Sequence, residues 1–240
     1  MGNKKIKLSR FVRTTWATLL FLSTSIGWGK EIKPVDPDGL PFLLVHENTC
    51  NSYLIRSGDA CLVIDWGTGE FLPQLKRLGI KKVERVLFTH HHREQLQGAG
   101  LIDRSTAKVW APEKERDFFE KPASFRKWWP KLGDKFSVYG ASYLRPPAHP
   151  NILDQTLEDG ESFDWEGFRF TCLSTPGHSP GHMSYLLEHE GKTIAFTGGH
   201  FHDGAKLSTW FDSEWDYGFG KGIDALLEST NKLIANKPNL

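Results

Sequence analysis

Cysteine is scarce: Cys50, Cys61 and Cys172 are the only three in a chain of 240 residues. An odd number allows at most one bridge, and no Cys-x-x-Cys spacing marks a zinc ribbon or a redox pair. Cys50 and Cys61 flank a hairpin whose turn reads Ser57-Gly58-Asp59. That turn sets Leu54 near Cys61 and Cys50 well off register, so buried, unbridged thiols are the expectation. Net charge is small as well, at +1, where a dedicated nucleic-acid binder shows a strong basic excess. With 39% hydrophobic and 25% charged residues, the chain is neither an acidic disordered polymer nor a collagen-like repeat nor a polytopic membrane protein. Its length suits one large domain or two small ones, enough for a real core.

The near-neutral total hides an asymmetry. Residues 1–29 carry Lys4, Lys5, Lys7, Arg10 and Arg13 with no acid, +5, leaving 25 bases against 29 acids, −4, for the remainder. An uncharged stretch over 14–29 follows the basic cluster and ends on small residues, Ser25, Gly27 and Gly29. This is the order of a secretory signal peptide, and the stretch is short for a membrane span, which needs about 20 apolar residues. An uncleaved single-helix anchor is the alternative. There is no twin arginine and no lipid-accepting cysteine at the leader's end. The domain over 30–240 is therefore expected to be periplasmic or secreted, touching a membrane only through an uncleaved leader.

Past a patternless entry at 30–39, the chain alternates strand and helix signals. Strands are expected at 42–45, 52–55, 62–65, 83–89, 108–111, 168–173, 184–187 and 193–197. Helices are expected at 70–78, 97–105 and 222–234, the last from the spacing of Ile223, Leu226, Leu227, Thr230, Leu233 and Ile234. A shift of 132 residues lays 51–67 on 183–199: Ser-Tyr-Leu recurs, the turn coincides and both copies end on Gly. Two similar halves of one fold explain this best. Between them, residues 110–150 are rich in aromatics. They form either a covering segment packed on the core or a flap, in which case Trp128 and Trp129 line a substrate pocket.

The chemistry lies in two short stretches. The first, Thr-His-His-His-Arg-Glu-Gln at 89–95, follows a buried strand. In extended chain, residues two apart point the same way, so His90 and His92 converge, Glu94 follows them and His91 points elsewhere. The second, Thr-Pro-Gly-His-Ser-Pro-Gly-His at 175–182, is a rigid loop after another strand, and His178 suits a third ligand.

Together these motifs resemble the metallo-β-lactamase superfamily, especially its glyoxalase II-like branch. The hairpin end Asp65-Trp66-Gly67 resembles the family's Asp-x-Gly turn, and Thr197-Gly198-Gly199 its Thr-Gly-Asp segment. The resemblance runs from residue 42 to 240. It implies an α+β fold, an αββα sandwich of two similar halves with metal at one edge. It also maps the three histidines of a first metal site onto His90, His92 and His178. The second site departs from the family: Glu94 stands for Asp, Gln95 for His, Gly199 for the bridging Asp, and the late histidine is absent. The last strand is expected to be lacking. His182 is expected to be structural.

These readings combine into one expectation, an exported carbonyl hydrolase acting on a thioester, ester, lactone or lactam. One Zn²⁺ per chain, other divalent metals remaining open, would sit on three nitrogens and carry a hydroxide. Glu94 would be the general base, or would orient a histidine instead. His200 is an additional candidate ligand, Gln95 lies beside the site, and Asp65 is expected to hold its loop by accepting N–H bonds, with metal contact as the alternative. The partner is a small molecule, not a nucleic acid, and the pattern specifies no oligomeric state. The rival is a degenerate member that binds metal or ligand without turnover; an iron oxygenase-like site is disfavoured without a 2-His-1-carboxylate set.

Overall fold

A computed structural model describes residues 30–124, 146–201 and 221–240. The expected leader over 1–29, Trp128 and Trp129 lie outside the described residues. Seven strands form the first sheet in sequential order: β1 (Lys33–Asp36), β2 (Leu40–Glu47), β3 (Asn51–Ser57), β4 (Ala60–Ile64), β5 (Lys82–Leu87), β6 (Lys108–Pro112) and β7 (Gln155–Leu157). The second sheet runs β11 (Lys192–Phe196), β10 (Met183–His189), β9 (Phe168–Ser174) and β8 (Ser162–Trp165). Among the described residues, four helices accompany them: α1 (Leu72–Leu75), α2 (Arg93–Leu96), α3 (Arg116–Glu120) and α4 (Lys221–Ala235). Among the described residues no helix is long and apolar enough to cross a membrane.

Strand periodicity sorts the apolar residues into layers. On the outer face of the first sheet, Leu54, Cys61 and Val63 pack with Trp66, Phe71 and Leu75 around α1. Their neighbours Ile55, Leu62 and Ile64 point the other way, into the inter-sheet core, where they meet Phe170, Cys172, Tyr185 and Leu187. On the far face of the second sheet, Leu173 and Leu186 meet Leu233 of α4. The layers are therefore helix, sheet, sheet, helix, as expected of an αββα sandwich. Both faces of each sheet are covered, so β4 (ACLVI) is apolar at every position rather than alternating. Burying one such Leu, Ile or Phe contributes about 1.5–3 kcal/mol.

The internal repeat is structural. Moved by 132 residues, the bounds of β3 and β4 fall on those of β10 and β11, and all five pairs match, from Tyr53↔Ile64 and Tyr185↔Phe196 to Ser57↔Ala60 and His189↔Lys192. The turn is tighter than expected. Only Gly58 and Asp59 lie between the paired Ser57 and Ala60, so Arg56 faces Cys61 and Leu54 faces Val63. All three cysteines are free.

Three expectations need correction. No helix covers 97–105; α2 ends at Leu96, and a 3-10 turn at Ala99–Leu101 follows. The Gly98 N–H is diverted from the helical pattern to Gly67 O, and glycine is required at this contact because a Cβ would lie 2.0 Å from Thr68 O. The entry segment contains the edge strand β1, paired antiparallel with β2. At three and four residues, β7 and β8 are too short for their pattern to be read. At the other end of the chain, Asn239 N–H donates to Thr193 O, and Leu240 O accepts from Ala195 N–H beside β11.

Candidate metal centre

Strands β4 to β7 run parallel, so their carboxyl ends gather at one edge. Asp65 follows β4, the histidine run follows β5, and Glu115 follows β6. The second sheet brings the 175–182 loop between β9 and β10 to the same edge, with Thr197-Gly198-Gly199 after β11. Two bonds join the sheets there: Met183 N–H to Thr89 O at 2.9 Å, and Tyr185 O–H to Phe88 O at 2.7 Å.

His90, His92 and His178 meet at this edge, all buried, with one nitrogen from each within 4.8 Å of the others. His178 Nε2 lies 3.0 Å from His92 Nδ1 and 3.1 Å from His90 Nε2. Burial, reinforced by the neighbouring rings, pushes the pKa of His90 and His92 well down. With one ring N–H per neutral imidazole, His178 Nε2 can share a proton with only one of the two nitrogens that face it, whereas a small cation can take a lone pair from all three. Two bonds of about 2.05 Å at a tetrahedral zinc hold their nitrogens about 3.3 Å apart. The donor set therefore fits a small divalent metal.

Asp65 supports the trio from behind. Its Oδ1 accepts Thr89 N–H at 2.9 Å, and its Oδ2 accepts the Thr89 hydroxyl at 2.8 Å. With that proton committed, Thr89 Oγ1 accepts from His90 Nδ1–H at 2.8 Å and leaves Nε2 bare. His91 turns away, as the alternation requires: its N–H and Nδ1–H donate to Glu115 Oε2 at 2.6 and 2.8 Å. Burial pushes the Glu115 carboxyl up, but the His91 ring and the hydrogen bonds outweigh it and hold the group low.

Glu94 does not continue the extended register, because α2 begins at Arg93. Its Oε1 nevertheless lies 3.8 Å from His92 Nδ1, with the side chain 43% exposed. Glu94, buried Gln95, Asp65, His178 and Gly199 line a cleft of about 370 Å³, with Thr49, Cys50, Tyr53 and Phe201 among its other walls. Gln95 Oε1 is buried without a partner among the described residues, while its carbonyl accepts from Trp66 and Gly67 N–H. His200 is not in the trio. The 3-10 turn Gly198–His200 swings its ring to α4, where Nε2 lies 2.9 Å from Thr230 Oγ1. His182 Nδ1 lies 2.9 Å from Thr175 Oγ1, inside its own loop. Phe118 and Phe119, within the aromatic segment, are buried, Phe118 against His91 and Phe119 against Phe88. Glu115 had no sequence signal, because nothing in its spacing ties it to either histidine motif.

The buried rings predict acid sensitivity. His90, His92, His182 and His200 all titrate below the ordinary 6.5, mainly through burial, His200 at about 4. The fold keeps them neutral, while the unfolded chain protonates near 6.5. Their stabilisation is thus complete above that pH and is lost below it, by up to about 1.4 kcal/mol per pH unit per ring. Asp65, raised by burial to about 7 against its Thr89 bonds, acts in the opposite sense but offsets only one ring. Thermal melts of the metal-free protein should fall steadily as pH drops below about 6.5; a flat profile contradicts neutral rings.

An αββα sandwich that gathers three buried imidazoles at its strand ends offers a site for a metal ion. The sequence model of the metallo-beta-lactamase superfamily matches residues 47–239, and the chain belongs to that superfamily. Relatives include an atrochrysone carboxyl ACP thioesterase of Passalora fulva, 30% identical over 62% of this chain and 37% of its own length. A hydroxyacylglutathione hydrolase of Aeromonas hydrophila is 29% identical over 55% of this chain and 41% of its own. The chain thus spans about two fifths of the length of these curated relatives. Among solved structures, the FEZ-1 metallo-beta-lactamase from Legionella gormanii shares the fold with TM-score 0.59 and 20% identity, over 85% of this chain and 75% of that one.

Proposed function

We propose that the protein is an exported, metal-dependent hydrolase of a carbonyl substrate, with a single zinc-type ion held by His90, His92 and His178. The observation that carries this reading is the convergence of three buried imidazole nitrogens beside a cleft that also holds Glu94. When bound, such an ion polarises a carbonyl and brings the pKa of a water to about 7. The chain's own residues supply the rest. Asp65 and Thr89 fix the His90 tautomer, and Glu94 at the cleft wall accepts a proton from the attacking water. The cleft volume suits a small substrate. Since a thioesterase is among the relatives, a thioester is the first class to test, ahead of esters, lactones and lactams. The basic leader directs the chain to the periplasm or outside.

The rival, a binder without turnover, draws on Gly199 and Gln95, which leave a second metal without its expected ligands. Glu94→Gln separates the two. An enzyme should keep one metal equivalent and lose about 10²–10⁴-fold in kcat on a generic thioester. No turnover in the metal-loaded parent across thioester, ester, lactone and lactam favours the binder.

A further inference from the structure

We infer that Glu115 is a positioning residue for the metal centre, its one buried carboxylate setting the distance between the His90–His92 loop and the His178 loop. The inference rests on the metal-centre reading above. Oε2 serves the first loop only, accepting the N–H and ring Nδ1–H of His91, the residue between the two ligands. Oε1 serves the second only, accepting the Ser179 hydroxyl and, at 3.0 Å, Gly181 N–H. Ser179 follows His178 directly, so each ligand-bearing loop hangs on one oxygen of the same rigid group.

The fit is close. A Cβ on Gly181 would stand 2.5 Å from Glu115 Cγ, so the second loop lies directly on the carboxylate. Glu115 is fully buried at the junction of the 3-10 turn Glu113–Glu115 with α3, whose Phe118 covers His91. An ionised carboxylate accepts about four hydrogen bonds and donates none, which matches four donors arriving from two sides. Glutamine at this position would set its NH₂ against one pair of donors and release one loop.

Zinc affinity measured by competition against a chelator, together with the visible spectrum of the Co²⁺ form, tests this on the whole chain. Glu115→Gln should bind zinc about 10–100-fold more weakly, with an altered Co²⁺ spectrum. Ser179→Ala should weaken binding less, and should add little in the Glu115→Gln background, because both act through one group. A purely architectural role would lower the melting temperature and leave both metal readouts at parent values. That result overturns the inference and leaves the metal centre standing. If Glu115→Gln does not fold, Ser179→Ala decides: weaker zinc supports the inference, and parent affinity overturns it. A parent protein that binds no metal overturns the metal-centre reading itself, and with it this inference.

Discussion

With His90 replaced by alanine, the protein is expected to lose its metal, from about one equivalent per chain to almost none after dialysis, with hydrolysis falling to background. His90 offers a bare Nε2 3.1 Å from His178 Nε2 and is fully buried. Its orientation is secured by the Thr89–Asp65 relay. His182, whose ring centroid lies 5.0 Å from that of His90, holds its Nδ1 on Thr175 and is not among the three residues whose nitrogens approach within 4.8 Å of one another. His200 is tied to Thr230 of α4. Two imidazoles make a poor site, and the loss should exceed the roughly 100-fold that removal of a mere outer partner costs. Elemental analysis beside the parent protein checks this, with circular dichroism to confirm that the variant folds. Retention of a full equivalent at parent affinity would refute the three-nitrogen centre.

Much of this site was readable because its geometry is local. Two histidines separated by one residue in extended chain converge whatever the rest of the fold does, and His90 and His92 do, with ring centroids 4.5 Å apart. His178 was readable because Pro and Gly fix its loop. The hairpin repeat was readable because strand, turn and strand recur at one spacing, and its five pairs are reproduced. What escaped depends on distant packing. Gly98 looks like a tolerable helix residue until Gly67 O draws its N–H away. Strand β1 exists because β2 offers an edge, not because KPVD is a strong strand former. Glu115 stands 24 residues from His91 and 66 from Gly181, and only the parallel strand ends bring them together.

Putting an aspartate at 199, where the resembling family carries its bridging carboxylate, is expected to damage the centre rather than complete a second one. Gly199 lies against the His178 ring: a Cβ there would stand 2.2 Å from Nε2, 2.4 Å from Cδ2 and 2.9 Å from Cε1. Contacts below 3 Å cannot persist, so either the 3-10 turn Gly198–His200 or the His178 ring must move. The turn is constrained on both flanks. Gly198 sits against Thr89 and His182 at φ +50°, and His200 is anchored to Thr230. His178 therefore yields, and its Nε2 leaves the trio. The new carboxylate would also arrive without its usual companions, since Gln95 stands where a histidine would serve a second metal. Gly199→Asp should accordingly bind no more than one zinc, at least about 10-fold more weakly than the parent, as expected for a displaced ligand. Stoichiometry from calorimetry with elemental analysis checks both parts. Two equivalents at undiminished affinity would show that His178 has room this packing denies it, and that glycine alone withholds the second ion.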